Sequence, residues 1–173
     1  SKYSHPQKKE VDIVSIIRES LSLSVPQKAI FTSIDAAPNI STISADEVQM
    51  VQVFNNLFIN AKQAMSGRGK TQVQVRNYRN EEGSSLRKQR IQPIPLADYV
   101  MISIRDTGSG IPKEQIQFLF DPYFTTKEQG NGLGLTVVYA IIKKHGGEIQ
   151  VESAPGNGTT FVIYLPSSNG KSS

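Results

Sequence analysis

The 173-residue chain contains no cysteine. That absence excludes a disulfide framework and a thiolate-ligated zinc site, and it agrees with a reducing cytoplasm. No apolar run approaches the roughly 18 residues that a membrane span needs, and nothing resembles a signal peptide. A soluble cytoplasmic domain without direct membrane contact is therefore expected, whatever anchors its parent. A dominant charge is also lacking: 19 Lys and Arg face 15 Asp and Glu, for a net charge of +4. The basic residues are scattered apart from Arg87, Lys88 and Arg90, and that cluster has no interleaved aromatics, so nucleic acid is not an expected partner. With 38% hydrophobic residues, the chain reads as one compact domain with a substantial core.

What stands out instead is glycine. Residues 130–135 read GNGLGL and open an apolar helix-patterned stretch that runs to His145. Gly130, Gly132 and Gly134 let a backbone approach a ligand, and helix-start amides favour negative charge, which describes a phosphate site. A dinucleotide fold requires a strand directly before such glycines, but FDPYFTTKEQ precedes them. A nucleotide-binding P-loop requires a lysine directly after its last glycine, and none follows until Lys143. Both readings fail on context.

Periodicity supplies the frame. Residues 13, 16, 17 and 21 are apolar at helical spacing, and KAIFTSID then reads as a strand. Ser44 with Glu47 predicts a capping box, ahead of a long amphipathic helix over about 45–65 carrying Val51, Phe54, Phe58, Ala61 and Met65, ended by Gly67 and Gly69. TQVQVRNY and YVMISIRD alternate as strands, with Val100, Ile102 and Ile104 on one face. Residues 80–97 between them read as a hairpin excursion. Pro112 starts a short helix, KEQIQFLF, and GEIQVES and TTFVIYLP close the chain as strands joined by APGNG. This order predicts an α/β fold: a mixed sheet of about five strands with about three helices on one face. Residues 1–10 and 167–173 have linker-like composition.

Several polar residues break the core pattern. Asn56 and Asn60 lie one turn apart on the long helix, where asparagine is a poor helix former. An amide oxygen can ligate magnesium, and the pair can equally be solvated or satisfied within the core. Asp106 ends a strand before TGSGIP, where Gly108 and Gly110 allow a tight turn. Its carboxylate can accept a hydrogen bond from an exocyclic amine such as that of adenine, or serve only local amides. Phe120, Pro122, Tyr123 and Phe124 form an aromatic cluster ahead of Thr125, Thr126 and Lys127, so a cation-bearing segment hinged by glycine can close over phosphates.

Together, QVFNNLFINAKQAM, DTGSGI, FDPYFTTK, GNGLGL and GNGTTF before YLP resemble the ATP-binding catalytic domain of sensor histidine kinases, within the gyrase, Hsp90, histidine kinase and MutL superfamily. The match covers residues 46–165 in order and spacing. The resemblance implies a two-layer α/β sandwich of the Bergerat type over residues 11–166, with an ATP lid at 112–131 and a linker at 1–10 leading from a dimerisation and phosphoacceptor domain. It implies ATP and magnesium as cofactors, with Asp106 on the adenine amine, Asn60 on the metal and Asn56 near the phosphates. Gly108, Gly110, Ile111, Phe120, Thr125, Thr126, Gly130, Gly132, Leu133, Gly134 and Leu135 would shape the pocket and lid, and Thr159 or Thr160 would support Asp106. The implied partners are that dimerisation domain and a response regulator, with a homodimeric parent and a monomeric fragment.

In the hydrolysing members of the superfamily a glutamate acts as base for water at the place where this chain has Asn56. An amide takes no proton at neutral pH, so transfer to a histidine is expected in preference to hydrolysis or to an anti-sigma-type serine kinase reaction. The rival class is a nucleotide-binding or regulator-docking module without transferase activity. Where many family members carry a lysine after the magnesium asparagine this chain has Gln63, which leaves Lys127 as the candidate cation for the terminal phosphate. His5 and His145 are its only histidines, and neither precedes an acidic residue as the family's phosphoacceptor does. His145 is expected at a helix C-terminus, favoured there by the dipole.

Overall fold

The computed structural model describes residues 5–23, 29–81, 94, 95, 97–122 and 134–168. Its main sheet has five strands in the order β2-β4-β5-β7-β6, formed by β2 (Ile30–Ala36), β4 (Gly69–Asn80), β5 (Ala97–Asp106), β6 (Glu148–Ser153) and β7 (Thr159–Pro166). β2 and β4 run parallel and the remaining pairs antiparallel, so the sheet is mixed as expected. α1 (Ile13–Leu23), α2 (Glu47–Met65) and α4 (Gly134–Lys144) supply the helical layer, and α3 (Lys113–Ile116) is a single turn.

The alternation in the strands decides which face the helices cover. Val73 and Val75 of β4, Val100, Ile102 and Ile104 of β5, and Phe161, Ile163 and Leu165 of β7 point into one core. Against them pack Ile13, Ile16 and Ile17 of α1, Met50, Phe54, Leu57 and Phe58 of α2, and Val138, Ile141 and Ile142 of α4. Burying one such side chain stabilises by roughly 1.5–3 kcal/mol, so this interface is the main driving force of the fold. The opposite face carries a smaller cluster of Tyr78, Tyr99, Tyr164 and Ile94. Asn80 fixes Ile94 and Pro95 there, donating from Nδ2 to their carbonyls at 2.8 and 2.9 Å.

Two short strands lie outside the periodic reading. β1 (Lys9–Val11) pairs antiparallel with β3 (Ile43–Ala45) as a separate two-stranded sheet. β3 also corrects the helix cap. Ser44 pairs with Glu10 inside that sheet, and Asp46 is the N-cap of α2, accepting from Gln49 N at 3.1 Å. Three residues is too short for alternation to register, whereas Ser44 and Glu47 imitate a capping box in sequence. At its other end α2 stops at Ser66, which takes the left-handed conformation with φ 51° ahead of Gly67. The turn after Pro112 is likewise shorter than KEQIQFLF suggested, ending at Ile116, with Pro112 itself as the N-cap. β4 and β5 run on to Asn80 and Ala97, beyond the alternation seen in 71–78 and 99–106.

Candidate functional site

At one end of the sheet the apolar rungs give way to a polar one. Across β4, β5, β7 and β6, register sets Thr71 opposite Asp106, Asp106 opposite Thr159, and Thr159 opposite Ser153. Cross-strand partners share a face, so all four lie on the helix side, directly after the rung of Val73, Ile104, Phe161 and Val151. Thr71, Asp106 and Thr159 are buried. Thr160 pairs with Arg105 and so sits on the other face, which assigns Thr159 and not Thr160 as the neighbour of Asp106. A carboxylate buried at a sheet end needs compensating donors. Asp106 Oδ1 accepts from Gly108 N at 2.8 Å, an interaction that also tightens the loop behind the strand.

That loop is clamped on both sides. Ser109 N donates to Ala64 O of α2 at 3.1 Å, and Gly156 N donates to Ser109 O at 2.8 Å. Gly108 is required by close approach, because a Cβ there would stand 2.7 Å from Ala64 O. Gly110 has φ +76°, and its Cβ would collide with the carbonyl oxygen of Ala154. Ile111 N donates to Ser153 Oγ at 2.8 Å. Ala64, Ala154 and Ser153 carry no motif of their own; only their distant partners give them a role, so single-chain pattern reading passes over them.

α2 connects this loop to the start of α4. Asn56, Asn60 and Ala64 recur every four residues, forming a stripe about 12 Å long at 1.5 Å per residue. Ala64 meets the Asp106 loop at one end, and at the other Asn56 Nδ2 donates to Gly134 O at 3.3 Å. An ionised glutamate could not donate to that carbonyl, so it is the amide at position 56 that makes this tie to α4. Gly134 begins an 11-residue helix, and among the described residues a Cβ on it would meet no heavy atom within 4 Å. Leu135 is half-buried against the core, and Gln63 is exposed on the last turn of α2.

Phe120 is anchored to α4 twice. Its ring stacks on Tyr139 with centroids 5.2 Å apart, and its carbonyl accepts from Thr136 Oγ1 at 3.2 Å. Tyr123, Phe124, Thr125, Thr126, Lys127, Gly130, Gly132 and Leu133 lie outside the described residues.

Asn60 is half-buried on α2 and offers one neutral amide oxygen. Among the described residues no group of three or more His, Cys, Asp or Glu side chains could hold a metal ion. A single oxygen donor suits magnesium that arrives with phosphate oxygens and water, and it does not suit a resident site built of protein ligands alone.

His145 does not act as the dipole reading implied. Its Nε2 accepts from Asp46 N at 3.0 Å, while Nδ1 lies 2.8 Å from Ile141 O. An accepting Nε2 and a donating Nδ1–H define a neutral ring. Burial above all pushes its pKa below the ordinary 6.5, and nearby Lys8 acts in the same direction against the Ile141 carbonyl and Asp46. The imidazole thus ties the end of α4 to the start of α2 without a charge. Burial opposes ionisation of Asp46, but the amides of Gln49, Gln7 and Val48 hold its carboxyl below the usual range.

The sequence family described as histidine kinase-, DNA gyrase B- and HSP90-like ATPase matches residues 45–169, and the chain belongs to it. Sensor kinase CckA of Brucella abortus is 40% identical over 157 residues, covering 90% of this chain and 16% of that protein. Sensor histidine kinase ZraS of Escherichia coli strain K12 is 38% identical over 172 residues, covering 95% of this chain and 32% of its own length. The chain therefore spans a third or less of these curated relatives. The catalytic domain of histidine kinase ThkA shares the fold with a TM-score of 0.75 and 27% identity, over 93% of this chain and 96% of that one. In the described residues no helix is long and apolar enough to cross a membrane.

Proposed function

We propose that this chain binds ATP with magnesium and donates the terminal phosphate to a histidine on a separate dimerisation domain, as the catalytic part of a two-component sensor kinase. The observation that carries the reading is the stripe on α2, which joins a buried carboxylate loop to a helix N-terminus about 12 Å away along the axis. That separation suits a nucleotide with its base at Asp106 and its phosphates at Gly134.

In this reading Asp106 accepts from the exocyclic amine of adenine, with Thr159 beside it and Gly108, Gly110 and Ile111 forming the turn that the flat ring approaches. The first amides of α4 face the phosphates, and Leu135 and Phe120 pack against the core. Asn60 supplies an oxygen to magnesium, which when bound neutralises charge on the phosphate oxygens. Asn56 holds the start of α4 and provides no base for water. An acceptor imidazole nitrogen attacks the terminal phosphorus, the bond to the bridging oxygen breaks, and ADP leaves. Positioning and charge neutralisation supply most of the acceleration for such a transfer. Thr125, Thr126, Lys127, Gly130, Gly132 and Leu133 complete the lid on sequence grounds, with Lys127 as the cation and Gln63 in the family's lysine place.

Two relatives named as sensor kinases, matched along nine-tenths or more of this chain, support the assignment. Its partners would be the dimerisation domain and a response regulator. The test supplies a dimerisation domain containing its histidine and follows a labelled terminal phosphate. Label on that histidine, dependent on magnesium, is expected; tight ATP binding with no label would favour a nucleotide-binding or regulator-docking module instead.

A further inference from the structure

The hydroxyl of Ser153 has a full set of partners. It donates to Gly158 O at 2.8 Å, receives Ile111 N at 2.8 Å, and lies 2.8 Å from Thr159 Oγ1. A serine hydroxyl has one proton. With that proton on Gly158 O, the shared contact must be donated by Thr159. Thr159 is buried and opposes Asp106, and its only proton is then spent on Ser153.

The consequence concerns polarity. Toward anything bound at this sheet end, Thr159 can only accept a hydrogen bond, and so can the Asp106 carboxylate. Two neighbouring acceptors match an amine and reject a carbonyl oxygen. Adenine presents an amine at the ring position where guanine presents a carbonyl. We propose that Ser153 is a specificity-determining residue: by taking the Thr159 proton it makes the pocket read adenine and refuse guanine. It acts through Thr159 and the Ile111 turn, and its role is one of positioning. The proposal rests on the reading of Asp106 as the adenine acceptor.

Calorimetric titration of the 173-residue chain with magnesium-ATP and magnesium-GTP tests it. In Ser153→Ala the Thr159 hydroxyl is free to turn and donate. The preference for ATP over GTP should then narrow on the order of tenfold, the size of one hydrogen bond exchanged for another. Ser153→Thr keeps the hydroxyl and should keep the preference. A merely structural role would weaken both nucleotides alike; that outcome, or an unchanged ratio, overturns the proposal. Asp106→Asn run in parallel separates the two levels. If it loses ATP preference while Ser153→Ala does not, the Ser153 proposal alone fails. If it binds both nucleotides as before, the adenine reading fails and takes the proposal with it. Should Ser153→Ala not fold, Ser153→Cys replaces it as a weaker hydrogen-bonding group, and an unchanged ratio there is equally fatal.

Discussion

The two ends of the α2 stripe are built differently. At the Asp106 end, three backbone amides of the loop have fixed partners: Gly108 N on Asp106, Ser109 N on Ala64 and Ile111 N on Ser153. A Cβ on Gly108 has no room there. At the Gly134 end the link from Asn56 is a longer bond of 3.3 Å, and among the described residues a Cβ on Gly134 would meet no heavy atom within 4 Å. On the proposed reading this contrast divides selectivity from chemistry: a preorganised end would discriminate between bases without losing conformational entropy on binding, while the other would let phosphates and a metal set their own geometry.

The largest expected effect comes from striking the rigid end at its acceptor. Asp106→Asn keeps an oxygen for Gly108 N, so the fold should survive, yet it faces the base amine with an amide. Loss of such a bond costs on the order of 1 to 3 kcal/mol. ATP affinity in calorimetry should fall accordingly with little change in the urea midpoint; unchanged affinity would remove the adenine assignment and with it the selective end of the comparison.

A pair of glycine substitutions sharpens the contrast itself. Gly108→Ala drives a methyl into the α2 backbone and should destabilise by about 1 to 3 kcal/mol, as overpacking does. Among the described residues Gly134→Ala meets no such obstacle, and it gains helix propensity, up to about 1 kcal/mol. Equal losses in urea unfolding would mean that the two ends are equally tight.

The smallest effect lies away from both ends, at the His145 bridge. Because its folded pKa is below the unfolded value, the unfolded state binds more protons between the two. Stability from this bridge is therefore complete above about pH 6.5 and is lost as pH falls through the folded pKa. His145→Gln should flatten that part of the melting-temperature profile. A mutant profile parallel to the native one would show that the ring does not titrate with unfolding.

Much of this was legible in residue patterns. Long alternating strands such as 99–106 and the apolar stripe of α2 gave the mixed sheet and its helical layer, because burial enforces those periods over many residues. Asp106, Asn56 and Asn60 stood out because polar residues are costly in such places. β1, β3 and the true cap at Asp46 did not, since three-residue strands carry no period and Ser44 mimics a capping box. The contacts of Ser153, Ala64 and Ala154 depend on residues far along the chain, and nothing local marks them. Thr159 and Thr160 were indistinguishable until register put one on each face. The sequence pattern sets His145 at a helix end, but whether its ring is charged depends on what faces its second nitrogen.

The polar rung has a consequence for the order in which the molecule is made. Asp106 lies between Thr71 and Thr159, on strands that come well before and well after it in the chain. Neither pairing is local, and long-range pairings close late because loop closure must precede their reward. The Asp106 end thus comes into being only when β4, β5 and β7 have all met. A nucleotide held there would act as a witness to completed folding, bound by the finished sheet and by none of its parts.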